Sequence, residues 1–182
     1  MRKHSKNQIF TIGHSTHDLA TFKTILRAYG INQLVDVRSI PRSRHNPQFN
    51  ADTVAQKLRN ASIGYRSMKG LGGLRHAHKD SVNTAWQNAS FRGFADYMQT
   101  DAFKENLEKL MQLSKKKRIA IMCGEAVPWR CHRSLIGDAL LIRGFEVVDI
   151  YSATQSKPHT LTPWAKVRGL RLTYPAPAGT KK

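Results

Sequence analysis

Short apolar runs alternate along the chain with longer segments in which apolar residues recur every three or four positions. Four runs predict buried strands, at 9–12, 33–37, 119–122 and 145–150, and a less apolar run predicts another strand at 63–68. Helical spacing predicts helices at 51–60, 91–98, 102–113 and 133–143, and a further helix that begins after the N-cap Thr16 and ends at Gly30. This alternation predicts an α/β fold: a single domain with a mostly parallel sheet flanked by helices.

The chain divides into three segments of different composition. We predict a basic N-terminal extension at 1–8, an α/β domain at 9–152 and a basic, proline-containing C-terminal extension at 153–182. The last segment has no periodicity and contains four prolines, so we expect an extended or disordered tail. Residues 76–90 are polar and are expected to form an excursion from the domain.

The predicted topology brings distant parts of the sequence together. In open parallel sheets, ligands bind beyond the carboxyl ends of the strands. His14, Arg38 and Cys123 each follow a predicted strand directly. We therefore expect these three residues to lie at one edge of the sheet, although Arg38 and Cys123 are 85 positions apart.

The stretch from Cys123 to Arg133 contains two cysteines, a glutamate, a histidine and two arginines at a strand-to-helix junction. A thiol near a helix N-terminus and near cations has a lowered pKa, and the thiolate is the nucleophilic form, so Cys123 is a candidate nucleophile. Alternatively, the loop cradles a phosphate through its amides and arginines, or Cys123 is a small buried hydrophobic residue. Trp129 either stacks on a base or anchors the loop.

Two other residues are candidates for proton transfer. Glu125 is the only carboxylate in this stretch and is a candidate acid or base. His14 is a candidate base, a phosphate contact or a cap. The candidate substrate- or anion-binding residues are Ser15, Asp36, Arg38, Arg44, Arg130, Cys131, His132 and Arg133. For Asp36 and Arg38, a structural ion pair is an equally good interpretation.

No metal site and no cofactor are predicted. The C-x7-C-H spacing of Cys123, Cys131 and His132 is not a standard zinc pattern, and the chain has no second cysteine pair. The glycine-rich segment 70–73 lacks the G-x-x-x-x-G-K-[ST] pattern of a phosphate loop, so it is interpreted as a turn or a lid.

The chain is strongly basic, with 30 Lys and Arg against 12 Asp and Glu, a net charge of +18 and a pI near 10.4. Residues 1–7 and 151–182 carry three and six basic residues and no acidic ones. This distribution predicts a polyanionic partner, most simply nucleic acid or a nucleotide-like substrate, with solubility as the alternative role of the charge.

Composition also bears on location. No apolar run approaches the ~20 residues that a membrane-spanning helix needs, so no membrane partner is predicted. Two cysteines in a chain without an export signal are expected to be reduced thiols in a cytoplasmic protein. The oligomeric state is left open.

Four separated motifs occur in a fixed order. They are Thr11-Ile-Gly-His-Ser15, Leu34-Val-Asp-Val-Arg-Ser39 with Pro41 and Arg44, Gly70-Leu-Gly-Gly73, and Cys123-Gly-Glu with Cys131-His-Arg133. Together they resemble the bacterial family called domain of unknown function 488, through most of residues 9–150. The resemblance implies a compact α/β domain and brings no established reaction. The characteristic positions of the family correspond here to His14, Ser15, Asp36, Arg38, Arg44, Gly72, Cys123, Glu125, Cys131, His132 and Arg133.

Val35-Asp-Val-Arg38 and the later strand–cysteine–loop–arginine–helix arrangement are more faintly similar to rhodanese and cysteine-phosphatase domains. Those domains place an arginine four or five residues after the nucleophile. Here Arg130 and Arg133 follow Cys123 after six and nine intervening residues, with a proline between. This similarity implies thiol-dependent sulfur or phosphoryl transfer.

Three hypotheses about function remain. The leading one is an enzyme of unassigned reaction that acts on a nucleic-acid or nucleotide-like anionic substrate at the carboxyl edge of the sheet. Its cysteine, glutamate and histidine would perform the chemistry, and its arginines would hold phosphate. The alternatives are a non-catalytic nucleic-acid-binding protein and a thiol-dependent transferase.

Overall fold

The computed structural model describes residues 7–177, which form a six-stranded sheet flanked by helices on both faces. The strands are β1 (Gln8–Gly13), β2 (Gln33–Asp36), β3 (Gly64–Ser67), β4 (Ile119–Cys123), β5 (Glu146–Ile150) and β6 (Ser156–Pro158). Their order across the sheet is β3-β2-β4-β1-β5-β6. The first five strands in this order are parallel, and only β6 is antiparallel, so the predicted α/β fold is confirmed.

Within residues 7–177, five α-helices cover the sheet, whose two faces are both apolar. They are α1 (Leu19–Ala28), α2 (Ala51–Arg59), α3 (Ala89–Tyr97), α4 (Asp101–Ser114) and α5 (Arg133–Leu141). In β4, Ile121 packs into the cluster that holds the buried residues of α3, α4 and α5. Its neighbour Met122 packs into the other cluster, with those of α1 and α2. All five residues of β4 are buried, which fits a strand at the centre of the sheet.

The first helix begins later than predicted. Asp18, not Thr16, is the N-cap of α1, and its carboxylate accepts a hydrogen bond of 2.7 Å from the Thr21 amide. The same carboxylate also accepts a hydrogen bond from the Thr21 hydroxyl. Both residue types favour this position, and Asp18 directly precedes the first helical residue, two positions after Thr16.

The polar excursion at 76–90 is ordered by a buried carboxylate. Asp96 accepts hydrogen bonds from the His78 amide, the Ser81 hydroxyl and the Asn83 side chain at 2.6–2.9 Å. Burial alone would raise the pKa of Asp96, but these hydrogen bonds outweigh it and lower the pKa. The excursion is thereby fixed against α3, and its end forms part of the wall described below.

The expectation of an extended or disordered C-terminal tail is wrong over the residues that the structure describes. Beyond β6, the chain forms a hairpin of β7 (Lys166–Arg168) and β8 (Arg171–Thr173). Tyr174 is completely buried in the core against α5. The strands have only three residues each, too short for a periodicity to show. The first six residues of the predicted N-terminal extension (1–8) and the last five of the predicted C-terminal one (153–182) lie outside the described residues.

A buried polar network fastens this segment to the domain. His159 lies between two carboxylates, with one ring nitrogen 3.0 Å from Asp138 and the other 3.0 Å from Asp149. The Tyr174 hydroxyl donates to Asp138, and the Thr11 hydroxyl donates to Asp149. The segment after β5 is therefore an integral part of the fold.

Within residues 7–177, no helix is both long enough and apolar enough to cross a membrane.

Candidate functional site

A cavity of about 380 Å³ opens at the carboxyl edge of the sheet. Its floor comes from the ends of β2 and β4 and from the start of α5, and its outer wall from the segments at 73–74 and 88–91. The candidate residues that line it are Arg38, Cys123, Glu125, Arg130, Cys131 and His132. The predicted convergence of β2 and β4 at one edge is thus present in the structure.

The loop that follows β4 lies directly over the end of β1. The β1–β4 pairing continues past the strand ends, where the His14 amide donates to Cys123 and the Ser15 amide donates to Gly124. Gly13 lies beneath the Glu125 peptide, and a side chain at that position would overlap with the Glu125 carbonyl oxygen. Ser15 turns the chain away with a φ of 46°. This close approach fixes the height of the loop above the sheet.

Arg133 supports the loop and does not line the cavity. Its side chain is 1% exposed, and it donates to the carbonyl oxygens of Glu125 and Ala126 at 2.8 and 3.1 Å. Burial lowers the pKa of its guanidinium to about 10, so the group remains charged at neutral pH. The sequence predicts that Arg133 holds a substrate phosphate. Its position does not favour this role, because its guanidinium faces the loop backbone.

The two cysteines, predicted from the sequence to be reduced thiols, form a close pair in the structure. The loop brings Cys131 back over Cys123, and the two residues are paired as a disulfide. Both residues are buried, at 3% and 5% exposure, and both line the cavity. In this state neither sulfur is a nucleophile, because only a thiolate attacks.

His132 lies beside the cysteine pair as a neutral imidazole. Burial lowers its pKa to about 4, and hydrogen bonds to the Val37 and Leu71 carbonyls offset only part of this effect. We assign the ring proton to Nε2, which lies 3.0 Å from the Val37 carbonyl oxygen, since that oxygen can only accept. Nδ1 then has a free lone pair 3.6 Å from Cys131 Sγ. His132 is therefore placed to accept a hydrogen bond from Cys131 when this residue is a thiol.

Asp36 and Arg38 form a buried ion pair, which is one of the two roles that the sequence predicts for these residues. Two guanidinium nitrogens of Arg38 bond to the two carboxylate oxygens of Asp36 at 2.9 and 2.6 Å. Tyr65 also donates to Asp36, and burial followed by this hydrogen bond raises the pKa of the Tyr65 hydroxyl. Asp36 is completely buried and positions Arg38. Of these two residues, only Arg38 lines the cavity.

His14 lies beneath the cavity wall. Its ring stacks on Phe49 at 4.4 Å, its Nδ1 is 2.9 Å from the Ser15 carbonyl oxygen, and its Nε2 is 3.3 Å from Arg38 Nη1. Burial is the main cause of its lowered pKa. Neither His14 nor Ser15 is among the residues that line the cavity. His14 therefore contacts Arg38, which lines the cavity, and this contact makes His14 a positioning residue.

The remaining candidates divide by exposure. Arg130 and Glu125 are exposed and line the cavity. Arg44 is exposed and does not line it, so this predicted phosphate contact stands outside the cavity. Trp129 is 63% exposed, with its ring 6.4 Å from that of Tyr151, which does not favour the anchoring interpretation.

Sequence reasoning missed the outer wall of the cavity. Ile40 and Leu74 are apolar and more than 60% exposed, and half-buried Phe91 stacks on Trp86 at 4.9 Å. The polar side chains of Asn88 and Ser90 complete this wall. Ile40 and Leu74 each sit in a polar loop, and an isolated apolar residue there is the signal that could have identified them.

Within residues 7–177, no group of three or more His, Cys, Asp and Glu side chains is arranged to hold a metal ion. Comparison with curated proteins and with solved structures gives no significant match. The family model described as "Domain of unknown function DUF488" matches residues 18–140, a range that contains α1 to α4 and most of the cavity. The chain therefore belongs to this family of unknown function.

Proposed function

We propose that the chain is an enzyme that acts on a nucleic-acid or nucleotide-like anionic substrate in the cavity at the carboxyl edge. The observation that carries the proposal is that the stretch from the end of β4 to the start of α5 brings both cysteines, His132, Glu125 and Arg130 into a single cavity together with Arg38 from the end of β2. Its volume of about 380 Å³ lies in the range of small-molecule sites. Nucleophile, hydrogen-bond acceptor, carboxylate and cation are thus within reach of one ligand.

The composition of the walls supports a nucleotide-like ligand. Arg130 supplies donors for an anionic group, as does the N–H of Arg38 Nη1 that is not directed at His14, and the other nitrogens of Arg38 are held by Asp36 and by the Phe49 carbonyl. The opposite wall offers the apolar faces of Leu74 and Phe91 to a flat ring. A nucleotide, which has a phosphate at one end and a base at the other, matches this division of the cavity into a cationic side and an apolar side.

Thiol chemistry begins with reduction of the disulfide. A dithiol reductant exchanges with the Cys123–Cys131 bond, which yields two protein thiols and the oxidised cyclic form of the reductant. Nδ1 of His132 lies 3.6 Å from the Cys131 sulfur, where it can accept a hydrogen bond from the thiol, but with a pKa of about 4 the ring is too weak a base to hold the proton, which passes to solvent. The start of α5, whose first amides lack intrahelical acceptors, stabilises the resulting thiolate. Cys131 is therefore the better nucleophile, and Glu125 is the remaining group for proton transfer to the substrate.

Alkylation of the reduced chain tests this proposal. We expect Cys131 to react with iodoacetamide with a thiol pKa below the ordinary ~8.5, also in Cys123→Ser. His132→Gln retains a donor to the Val37 carbonyl and removes a ring that is neutral at pH 7, so the pKa of Cys131 should stay close to that of the parent. A mononucleotide at about ten times its Kd should slow the reaction about tenfold. An ordinary thiol pKa together with no protection by any nucleotide would overturn the proposal.

Two arginine variants provide a matched comparison for substrate binding. Arg130→Gln removes a cation from the cavity, and we expect mononucleotide affinity to fall about tenfold. Arg44→Gln makes the same charge change at an exposed position outside the cavity, and its affinity should be unchanged. Equal losses in the two variants would show that general charge, not the cavity, attracts the nucleotide.

A second candidate function, nucleic-acid binding without catalysis, is favoured by the β7–β8 hairpin. Lys166, Arg168 and Arg171 are exposed on this two-stranded ribbon. Its tip borders a groove that also contains Arg143 and two lysines of α4, along with two glutamates. Phosphate contacts by such side chains give affinity that falls steeply with salt.

Point substitutions in the hairpin test this candidate, because removal of the whole segment would also remove buried Tyr174. Lys166→Gln/Arg168→Gln should reduce the slope of log affinity against log salt by about two for single- or double-stranded DNA. The control Lys115→Gln/Lys116→Gln makes the same charge change at the exposed end of α4. Unequal slopes would support the hairpin as the contact, whereas equal slopes would exclude it.

A further inference from the structure

A second concavity, of about 490 Å³, adjoins the candidate site. The two share Ser39 and Ile40, which form a dividing ridge between them. On its far side the second concavity is lined by Arg42, Lys69 and the first turn of α2. It contains no cysteine or histidine, so its side chains are suited to binding rather than to covalent chemistry.

The dividing ridge is held from both sides. The Ser39 hydroxyl accepts a hydrogen bond of 3.0 Å from the Leu74 amide, and Gly72 packs so closely on Ser39 that a Cβ would overlap. Beyond the ridge, the Pro41 carbonyl accepts from the Ala51 amide at 3.0 Å. The two concavities therefore have a fixed separation, which favours a ligand whose two parts have a fixed spacing.

The chemistry of the second concavity resembles that of the anion-binding side of the first. Arg42 and Lys69 outnumber the single carboxylate, Asp52, so the lining has a net positive charge. Ile40 is 62% exposed at the top of the ridge and is followed by Pro41. Isoleucine and proline are among the residues that nucleic-acid-binding proteins insert between neighbouring bases.

We propose, on the basis of the proposed function, that the second concavity is a subsite for the neighbouring nucleotide of a single-stranded nucleic acid. One nucleotide occupies the cysteine cavity, Ile40 lies between the two bases, and Arg42 and Lys69 contact the adjoining phosphate. The substrate is then a segment of single-stranded DNA or RNA rather than a free mononucleotide. A duplex does not present two unstacked neighbouring bases unless it is opened.

Calorimetric titration of the reduced full-length chain with mononucleotides and with phosphodiester-linked dinucleotides, in both deoxyribose and ribose forms, tests this inference. We expect the dinucleotide to bind at least about tenfold more tightly, since the second subsite adds charge-assisted contacts. Arg42→Gln/Lys69→Gln should remove this gain and leave mononucleotide affinity unchanged. Ile40→Ser should remove part of it.

The matched control is Lys57→Gln/Arg59→Gln, which removes two exposed cations from the last turn of α2, outside both concavities. It should retain the full dinucleotide gain. Equal affinities for mononucleotide and dinucleotide, or equal losses in the two double variants, would overturn the second subsite while leaving the proposed function intact. Absence of binding by either ligand would overturn the proposed function, and this inference with it.

Discussion

Gly13→Ala should lower the free energy of unfolding by about 3 kcal/mol or more, because the new methyl group has no space. Gly13 is the last residue of β1 and is paired in register with Cys123. The Glu125 peptide crosses directly over its Cα, so that an alanine Cβ would overlap with the Glu125 carbonyl oxygen. The loop would have to rise away from the sheet to relieve this overlap.

The contacts of the loop oppose such a movement. The Arg133 guanidinium donates to the carbonyls of Glu125 and Ala126, and movement of these carbonyls would leave a buried charge without partners. The His14 and Ser15 amides hold the start of the loop at 2.9 and 3.0 Å. Displacement would therefore break several buried hydrogen bonds and would also move Glu125 and Arg130 out of the cavity.

Urea-induced unfolding of the oxidised chain measures this loss, and Gly124→Ala is the matched control. A Cβ at Gly124 would meet its nearest neighbour, the His14 ring, at 3.5 Å, which is an ordinary van der Waals contact. We expect this variant to remain within about 1 kcal/mol of the parent. If Gly13→Ala unfolds at the same urea concentration as Gly124→Ala, the loop is not held against β1 as the structure describes.

Topology explains why much of the site could be predicted from sequence. Apolar runs with glycine or polar residues after them mark the carboxyl ends of strands, and parallel pairing then brings those ends to one edge. Arg38 and Cys123 lie at that edge because β2 and β4 are neighbours in the sheet. The family motifs add Glu125 and Cys131 at the same place. This part of the prediction required only strand order and direction.

The direction of each side chain could not be predicted in the same way. Arg130 and Arg133 are three positions apart in a basic stretch, yet one lines the cavity and the other is buried under the loop. Asp36 takes up two of the donors of Arg38, so the cavity has less free positive charge than the sequence indicates. These outcomes depend on long-range packing, such as the passage of the loop over Gly13, which periodicity does not encode.

The C-terminal segment shows a second limit of pattern-based prediction. A regular spacing of apolar residues identifies helices and strands that bury one whole face. The C-terminal segment is instead anchored by a few isolated buried side chains, chiefly His159 and Tyr174. Proline and basic residues around them are typical of disordered tails. A histidine that pairs with two distant carboxylates gives no local signal, because its partners Asp138 and Asp149 lie in α5 and β5.

His159 should make the stability of the protein depend on pH between about 6.5 and 9. Burial alone would lower the pKa of His159, but the hydrogen bonds and charges of Asp138 and Asp149 outweigh it and raise the pKa to about 9. In the unfolded chain the pKa returns to its ordinary value of 6.5. The protonated ring therefore contributes its full stabilisation below pH 6.5, loses it as the pH rises, and contributes none well above pH 9.

The expected size of this contribution is about 3 kcal/mol, since a pKa shift of one unit corresponds to about 1.4 kcal/mol and the side chain is only 7% exposed. Urea unfolding at pH 6, 7.5, 9 and 10 measures it, with Asp149→Asn for comparison. The asparagine can accept from His159 through its oxygen and donate to the Thr11 hydroxyl through its nitrogen, so the contacts are retained while one charge is lost. The variant should show a smaller loss between pH 6.5 and 9 than the parent. A parent whose unfolding free energy is constant over this interval would show that His159 is not protonated between the two carboxylates.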